Sequence, residues 1–152
     1  MVVRDLMSPK VVTIGPGASG HEAVEVMAKN TLRHLPVVTS DGTVAGMLTD
    51  RDIRHHLFRP EVFTDVGSID VQALLKRVTV SEMMSWPPVT TAPDASVSDA
   101  AAALRRARVG SLLVVESDRL LGIITETDLL RELVRADGWC CPDVETIVVS
   151  YP

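Results

Sequence analysis

Aromatic residues make up only 3% of this 152-residue chain, so its core has to be aliphatic, built from Val, Leu, Ile, Ala and Met. The same scarcity argues against the stacking platforms that hold single-stranded nucleic acid. Positive charge is not in excess. The net charge is -5 and the isoelectric point is about 5.3, which disfavours general binding to a phosphate backbone. No apolar run approaches the roughly 20 residues of a membrane span. The two cysteines, Cys140 and Cys141, are adjacent and cannot found a disulfide framework. Met1-Val2-Val3-Arg4-Asp5 lacks the basic-then-apolar pattern of a signal peptide. Ser-His-Asp, metal-ligand and phosphate-loop signatures are missing as well. The expectation is a cytoplasmic protein with no catalytic residues, no metal site, no nucleic-acid partner and no membrane partner. What is present is ordinary globular composition, 46% hydrophobic with a mean hydropathy of +0.21, which excludes disorder throughout.

The chain repeats itself. Gly46-Met47-Leu48-Thr49-Asp50-Arg51-Asp52-Ile53 returns as Gly122-Ile123-Ile124-Thr125-Glu126-Thr127-Asp128-Leu129. Upstream, Met7-Ser8, Pro16, Ser19 and Leu35-Pro36-Val37-Val38 return as Met84-Ser85, Pro93, Ser96 and Leu112-Leu113-Val114-Val115. The spacing slips by one residue between these two sets. The slip falls where Ser40-Asp41-Gly42-Thr43 faces the shorter Ser117-Asp118-Arg119, a turn that tolerates an insertion.

Each copy reads as β-α-β-β-α. The spacing predicts a short strand at Val11 to Ile14 or Val89 to Thr91, then a helix from Ser19 to about Asn30 or from Ser96 to about Arg106. Ser19 with Glu22, and Ser96 with Asp99, have the spacing of capping boxes. Two strands follow, Leu35 to Thr39 and Val44 to Leu48, then Leu112 to Val115 and Leu120 to Ile124. A last helix starts at Thr49 or Thr125. A unit of about 55 residues barely offsets its chain entropy alone, and two packed copies overcome that limit. The expected organisation is a first motif over 1–58, a linker over 59–78 with a short helix at Asp70 to Arg77, a second motif over 79–135, and a tail over 136–152. Thr146-Ile147-Val148-Val149 in the tail is β-prone.

Two such copies, each carrying Gly-x-[Leu/Ile]-Thr-x-x-Asp at the last strand-to-helix junction, resemble a pair of CBS domains, a Bateman module. The resemblance covers roughly residues 3 to 58 and 79 to 135, in the layout of small stand-alone bacterial proteins. It implies an α/β fold in which the two motifs pack about a pseudo-twofold axis with two equivalent clefts between them. It also implies a non-catalytic regulatory or sensor module. The family's clefts hold adenine nucleotides or other adenosyl ligands (AMP, ADP, ATP, S-adenosylmethionine) as regulatory ligands, and no cofactor is required. The alternative is a structural or interaction homodimer with empty clefts, acting on an unidentified partner protein without a ligand. The family commonly packs two modules helix to helix into a flat disc. The small residues Ala100 to Ala103 would allow such close approach, and the tail strand could extend a sheet edge.

The motif residues permit two readings. Thr49 with Asp52, and Thr125 with Asp128, have capping-box spacing; a carboxylate in a first helical turn can also accept hydrogen bonds from ribose hydroxyls. By the resemblance, a first cleft sets Ile123, Thr125, Thr127 and Asp128 against Lys10, Val12, Thr13, Arg33, His34, Leu35 and Pro36. A second sets Thr49, Arg51 and Asp52 against Pro88, Thr90, Gly110, Ser111 and Leu112. Arg33 and His34 suit a phosphate, whereas Gly110 and Ser111 offer no charge, so the first cleft is the one expected to take a phosphorylated nucleoside. Other features read as structural. His55-His56 suit a solvated helix end and cannot chelate jointly, Cys140-Cys141 lack a thiolate-favouring context, and Arg105, Arg106 and Arg108 suit solvated surface, with partner docking or a nucleotide phosphate as the sharper alternative. Trp86 reads as packing against the linker, with stacking on an adenine as the sharper alternative.

Overall fold

The structure, a computed structural model, describes residues 1–58 and 70–136. Cys140, Cys141 and the expected tail strand lie outside the described residues, as does most of the linker. The elements run α1 (Val3–Leu6), α2 (Gly20–Asn30), β1 (His34–Val38), β2 (Val44–Thr49) and α3 (Asp50–Leu57). After the linker come α4 (Val71–Arg77), α5 (Val80–Met83), β3 (Thr90–Thr91), α6 (Val97–Ala107), β4 (Ser111–Glu116), β5 (Arg119–Thr125) and α7 (Glu126–Ala136).

The local chemistry sets the helix ends. Ser19 caps α2 with the full reciprocal box: its hydroxyl accepts from the Glu22 amide, and its own amide donates to the Glu22 carboxylate at 2.8 Å. That amide bond is the main reason the Glu22 carboxyl sits below its ordinary value. Ser96 accepts from the Asp99 amide at 3.0 Å at the head of α6. Asp70 caps the linker helix α4 through the Gln72 and Ala73 amides. Both α2 and α6 end on a residue in the left-handed region, Thr31 at φ 53 and Arg108 at φ 54.

The two sheets match in register. β1 pairs antiparallel with β2, Leu35 facing Leu48, and β4 with β5, Leu112 facing Ile124. Each ladder shifts register at the equivalent place, between Val37 and Val38 and between Val114 and Val115. Parallel to β4 runs the two-residue β3. The first copy has only a single bridge there, Ile14 to Val37, so the strand expected over Val11 to Ile14 is reduced to one pairing.

The two cores exchange their leading segments. Val3, Leu6 and Met7 pack with Ala100, Leu104, Leu112, Val114 and Ile124 in the second core. Val80, Met83 and Met84 pack with Ala23, Leu35, Val37 and Leu48 in the first. α1 and α5, absent from the sequence reading, are therefore straps that cross to the other copy's core. Paired bridges fix the straps: the Ser8 and Ile123 amides and carbonyls exchange at 2.9 and 3.1 Å, as do those of Ser85 and Met47 at 2.8 and 3.1 Å. The motif glycine is explained by this crossing. A Cβ on Gly122 would meet the Met7 sulfur at 2.8 Å and the Ser8 carbonyl oxygen at 2.9 Å, and one on Gly46 would meet the Met84 sulfur at 2.7 Å and the Ser85 oxygen at 2.9 Å.

Candidate functional site

The straps and motif helices bound two related clefts. In each, the threonine at the strand end caps the next helix and ties down one carboxylate oxygen. The Thr125 amide and hydroxyl donate to Asp128 Oδ2 at 2.9 and 2.7 Å, and the Asp128 amide donates back to Thr125 Oγ1 at 3.3 Å. For Thr49 and Asp52 the same three bonds are 2.8, 2.6 and 3.1 Å. The capping and binding readings therefore use different oxygens of the same carboxylate, and Oδ1 is left to face the cleft.

What each Oδ1 meets differs. Asp52 Oδ1 accepts from the Ser85 hydroxyl at 3.2 Å, whereas Asp128 Oδ1 is paired with Arg131 at 3.2 Å. Arg131 is 72% exposed and Asp128 only 13%, so the pair is a sheltered carboxylate covered by a solvated guanidinium. An arginine held this loosely contributes little to stability and is easily displaced.

The Asp128 cavity, about 430 Å³, brings together Ile123, Thr125, Thr127, Asp128, Lys10, Val12, Arg33 and His34 from the sequence reading. Ser8, Thr31, Leu32 and Arg131 also line it and were not foreseen. Leu35 and Pro36 do not line it; both side chains are fully buried, Leu35 in the first core. Thr13 lines a different hollow beside Arg119. The Asp52 cavity, about 470 Å³, gathers Thr49, Arg51, Asp52, Pro88, Gly110 and Ser111 as expected. Leu112 is instead in the second core and Thr90 is exposed, neither lining the cavity. Both volumes fall in the range of small-molecule sites.

The charge contrast expected between the clefts is absent. Arg33 and His34 line both cavities, and Arg51, Arg54 and Arg108 add to the Asp52 side. Arg54 is tied to Asp50 at 3.0 Å, while Arg108 reaches the cavity from the left-handed residue that ends α6. All three arginines of that cluster, Arg105, Arg106 and Arg108, are exposed, and Arg108 is the one that lines the cavity. His34 packs across the pseudo-axis: a Cβ on Gly110 would meet its Nε2 at 3.2 Å. Burial, aided by Arg33, holds the His34 imidazole below its ordinary value, against a weaker upward pull from Asp50, Glu126 and Asp52. Trp86 is 74% exposed and lines neither cavity. His56 is half-buried, its Nδ1 sheltered and without a hydrogen-bond partner among the described residues, unlike the solvated end expected of it.

Comparison with known proteins agrees with the paired repeat, the exchanged straps and the two Thr-x-x-Asp clefts. A model of the CBS domain matches residues 3–59 and again 80–135. The chain belongs to the CBS domain family. It is 34% identical over 136 residues to a CBS domain-containing protein of Dictyostelium discoideum, covering 89% of this chain and 92% of that one. A second relative, the CBS domain-containing protein YhcV of Bacillus subtilis, is 32% identical over 127 residues, covering 84% and 81%. The homoserine O-acetyltransferase of Methanococcoides burtonii is also 34% identical, but the chain spans only 23% of its length. Among solved structures, a CBS domain pair in complex with 5'-methylthioadenosine and S-adenosyl-L-methionine superposes with a TM-score of 0.74 at 24% identity, covering 90% of this chain and 98% of that one. CBSX2 in complex with AMP gives 0.71 at 23% identity, covering 90% and 98%. These CBS pairs share the α/β Bateman architecture with this chain. Among the described residues no helix is long and apolar enough to cross a membrane.

Proposed function

We propose that this CBS pair is a non-catalytic, cytoplasmic sensor whose clefts bind a phosphorylated adenosine. The observation that carries the reading is the pairing, in each cavity, of a capped carboxylate with cations. Asp128 or Asp52 offers Oδ1 to the ribose hydroxyls, and Arg33 with its neighbours faces the phosphate end. In the Asp128 cavity three cations (Lys10, Arg33, Arg131) face one carboxylate, and in the Asp52 cavity four arginines face three carboxylates. A positive lining favours AMP, ADP or ATP over the sulfonium of S-adenosylmethionine. The relatives solved with AMP and with S-adenosylmethionine support the adenosyl class as a whole. Thermal unfolding with each ligand tests this. At a hundred times its Kd, a ligand adds about 2.7 kcal/mol, or roughly 5–10 °C for a chain of this size. Stabilisation by AMP above that by adenosine or S-adenosylmethionine is the expected result. No shift with any adenosyl compound would sink the sensor reading and leave the alternative, an interaction protein with empty clefts.

One observation also favours self-association. Leu130 and Leu133, one turn apart on α7, are 61% and 58% exposed, and Val24 on α2 is 36% exposed. We infer a homodimer that covers these helices, the commonest closed assembly for a soluble chain. Sedimentation at micromolar concentration checks it: a 16.4 kDa species removes the dimer.

A further inference from the structure

The two clefts are not independent, because they share a lining. Arg33 and His34 stand side by side where the chain passes from α2 into β1, His34 opening the strand, yet both residues line the Asp128 cavity and the Asp52 cavity. The second copy does not repay this sharing. At the equivalent positions stand Gly110 and Ser111, which line the Asp52 cavity alone and bring no charge to either side. The backbone at this place is fixed: the Asp50 amide donates to the Arg33 carbonyl at 3.1 Å, just as the Glu126 amide donates to that of Gly110. Only the side chain of Arg33 can redistribute. It is exposed, and among the described residues it forms no ion pair.

We infer that Arg33 is a shared anion-binding group, and that phosphorylated ligands in the two clefts therefore bind with negative coupling. The inference rests on the adenine-nucleotide reading above and adds its regulation. The charge inventory gives the direction. With Arg33 drawn to a phosphate in the Asp128 cavity, Lys10 and Arg131 still outnumber Asp128. The Asp52 cavity is then left with three arginines against three carboxylates and loses its surplus. The reverse displacement leaves the Asp128 cavity positive. So the Asp128 cavity keeps its hold on an anion with or without Arg33, and the Asp52 cavity does not. Linkage makes the coupling reciprocal, but the order of filling follows this inventory: Asp128 first, Asp52 second and more weakly. His34 belongs to the same device as a wedge. It is held uncharged by burial, so the shared charge is that of Arg33 alone. Adenosine carries no phosphate and should fill the two clefts without this penalty.

The test follows backbone amides of Thr49 and Thr125 by NMR while AMP, and separately adenosine, is titrated into the full chain. The expected result is two AMP events, Thr125 first and Thr49 at least about fivefold weaker, a typical lower limit for coupled sites. Adenosine should give a smaller separation. In Arg33→Gln the AMP separation should shrink toward that of adenosine, and in Asp128→Asn, with the first cleft disabled, the Thr49 event should move to lower AMP concentration than in the wild type. AMP filling both clefts independently, with separation and order unchanged in Arg33→Gln, overturns the coupling while leaving the nucleotide reading intact. AMP that shifts neither amide overturns both.

Discussion

The first and second CBS motifs fold almost identically and line their clefts differently. Register, bulge position, strap bridges and the Thr-x-x-Asp box agree between the copies to within a few tenths of an ångström in their hydrogen bonds. The side chains that meet the free carboxylate oxygen do not agree: Ser85 on one side, Arg131 on the other. Nor do the residues after the second and sixth helices, Arg33-His34 against Gly110-Ser111. The repeat thus separates what the fold requires from what is free to specialise. Backbone geometry around the glycine, threonine and aspartate recurs because the crossing straps and the helix cap need it. The cleft lining diverges most at side chains outside the cores, such as the exposed Arg33 and Arg131.

Substitutions at the paired positions can break this division. The largest effect is expected at the strap crossings. Gly46→Val and Gly122→Val each push a side chain into a methionine sulfur and a backbone carbonyl, and the carbonyl cannot retreat without moving the strap, at about 3 kcal/mol of stability. Urea unfolding of both should give similar losses, and a loss at only one would show that the crossings are not equivalent. Next come the caps. Asp52→Ala and Asp128→Ala each remove the acceptor for a threonine amide and hydroxyl, for a loss of about 0.5–2 kcal/mol, again similar in the two copies. A smaller effect of opposite sign is expected at the helix ends. Arg108→Gly relieves a left-handed residue and should gain up to about 1 kcal/mol while weakening anion binding in the Asp52 cleft; Thr31→Gly should match the gain. Chemical denaturation with and without AMP separates the two.

The pH response sharpens the asymmetry further. His34 has its value lowered by burial and by Arg33, and Gly110 and Ser111 give the other copy no equivalent group. A depressed imidazole favours the neutral form in the folded state. Its contribution is therefore fully present above about pH 6.5 and is lost as pH falls through the lowered folded value. Thermal melts below pH 6.5 should fall more steeply for the wild type than for His34→Gln, and identical slopes would place the pH sensitivity elsewhere.

Much of this was legible in the sequence, and the failures have physical causes. The capped helices α2, α3, α6 and α7 and the paired hairpins follow from periodicity and cap residues, which are local signals. The straps α1 and α5 escaped because four residues carry no helical period, and because nothing in a repeat says which copy's core its first turn will join. Val11 to Ile14 read as a strand for its β-branched residues, yet only Ile14 finds a partner. The resemblance sets Leu35, Pro36 and Leu112 in the clefts, but their strands bury all three side chains, with Leu35 in the first core and Leu112 in the second. Beyond Arg51, the cationic lining of the Asp52 cleft is hidden for another reason. Arg54 comes from the first copy's own helix, and Arg108 enters through a left-handed turn that spacing alone does not reveal.

The claim on which the rest depends is that the two motif carboxylates hold the ribose of an adenine nucleotide. Calorimetric titration of AMP into the wild type, Asp52→Asn, Asp128→Asn and the double variant measures it directly. Two sites in the wild type, one in each single variant and none in the double variant is the expected result. AMP bound by the double variant with wild-type stoichiometry and affinity would contradict it.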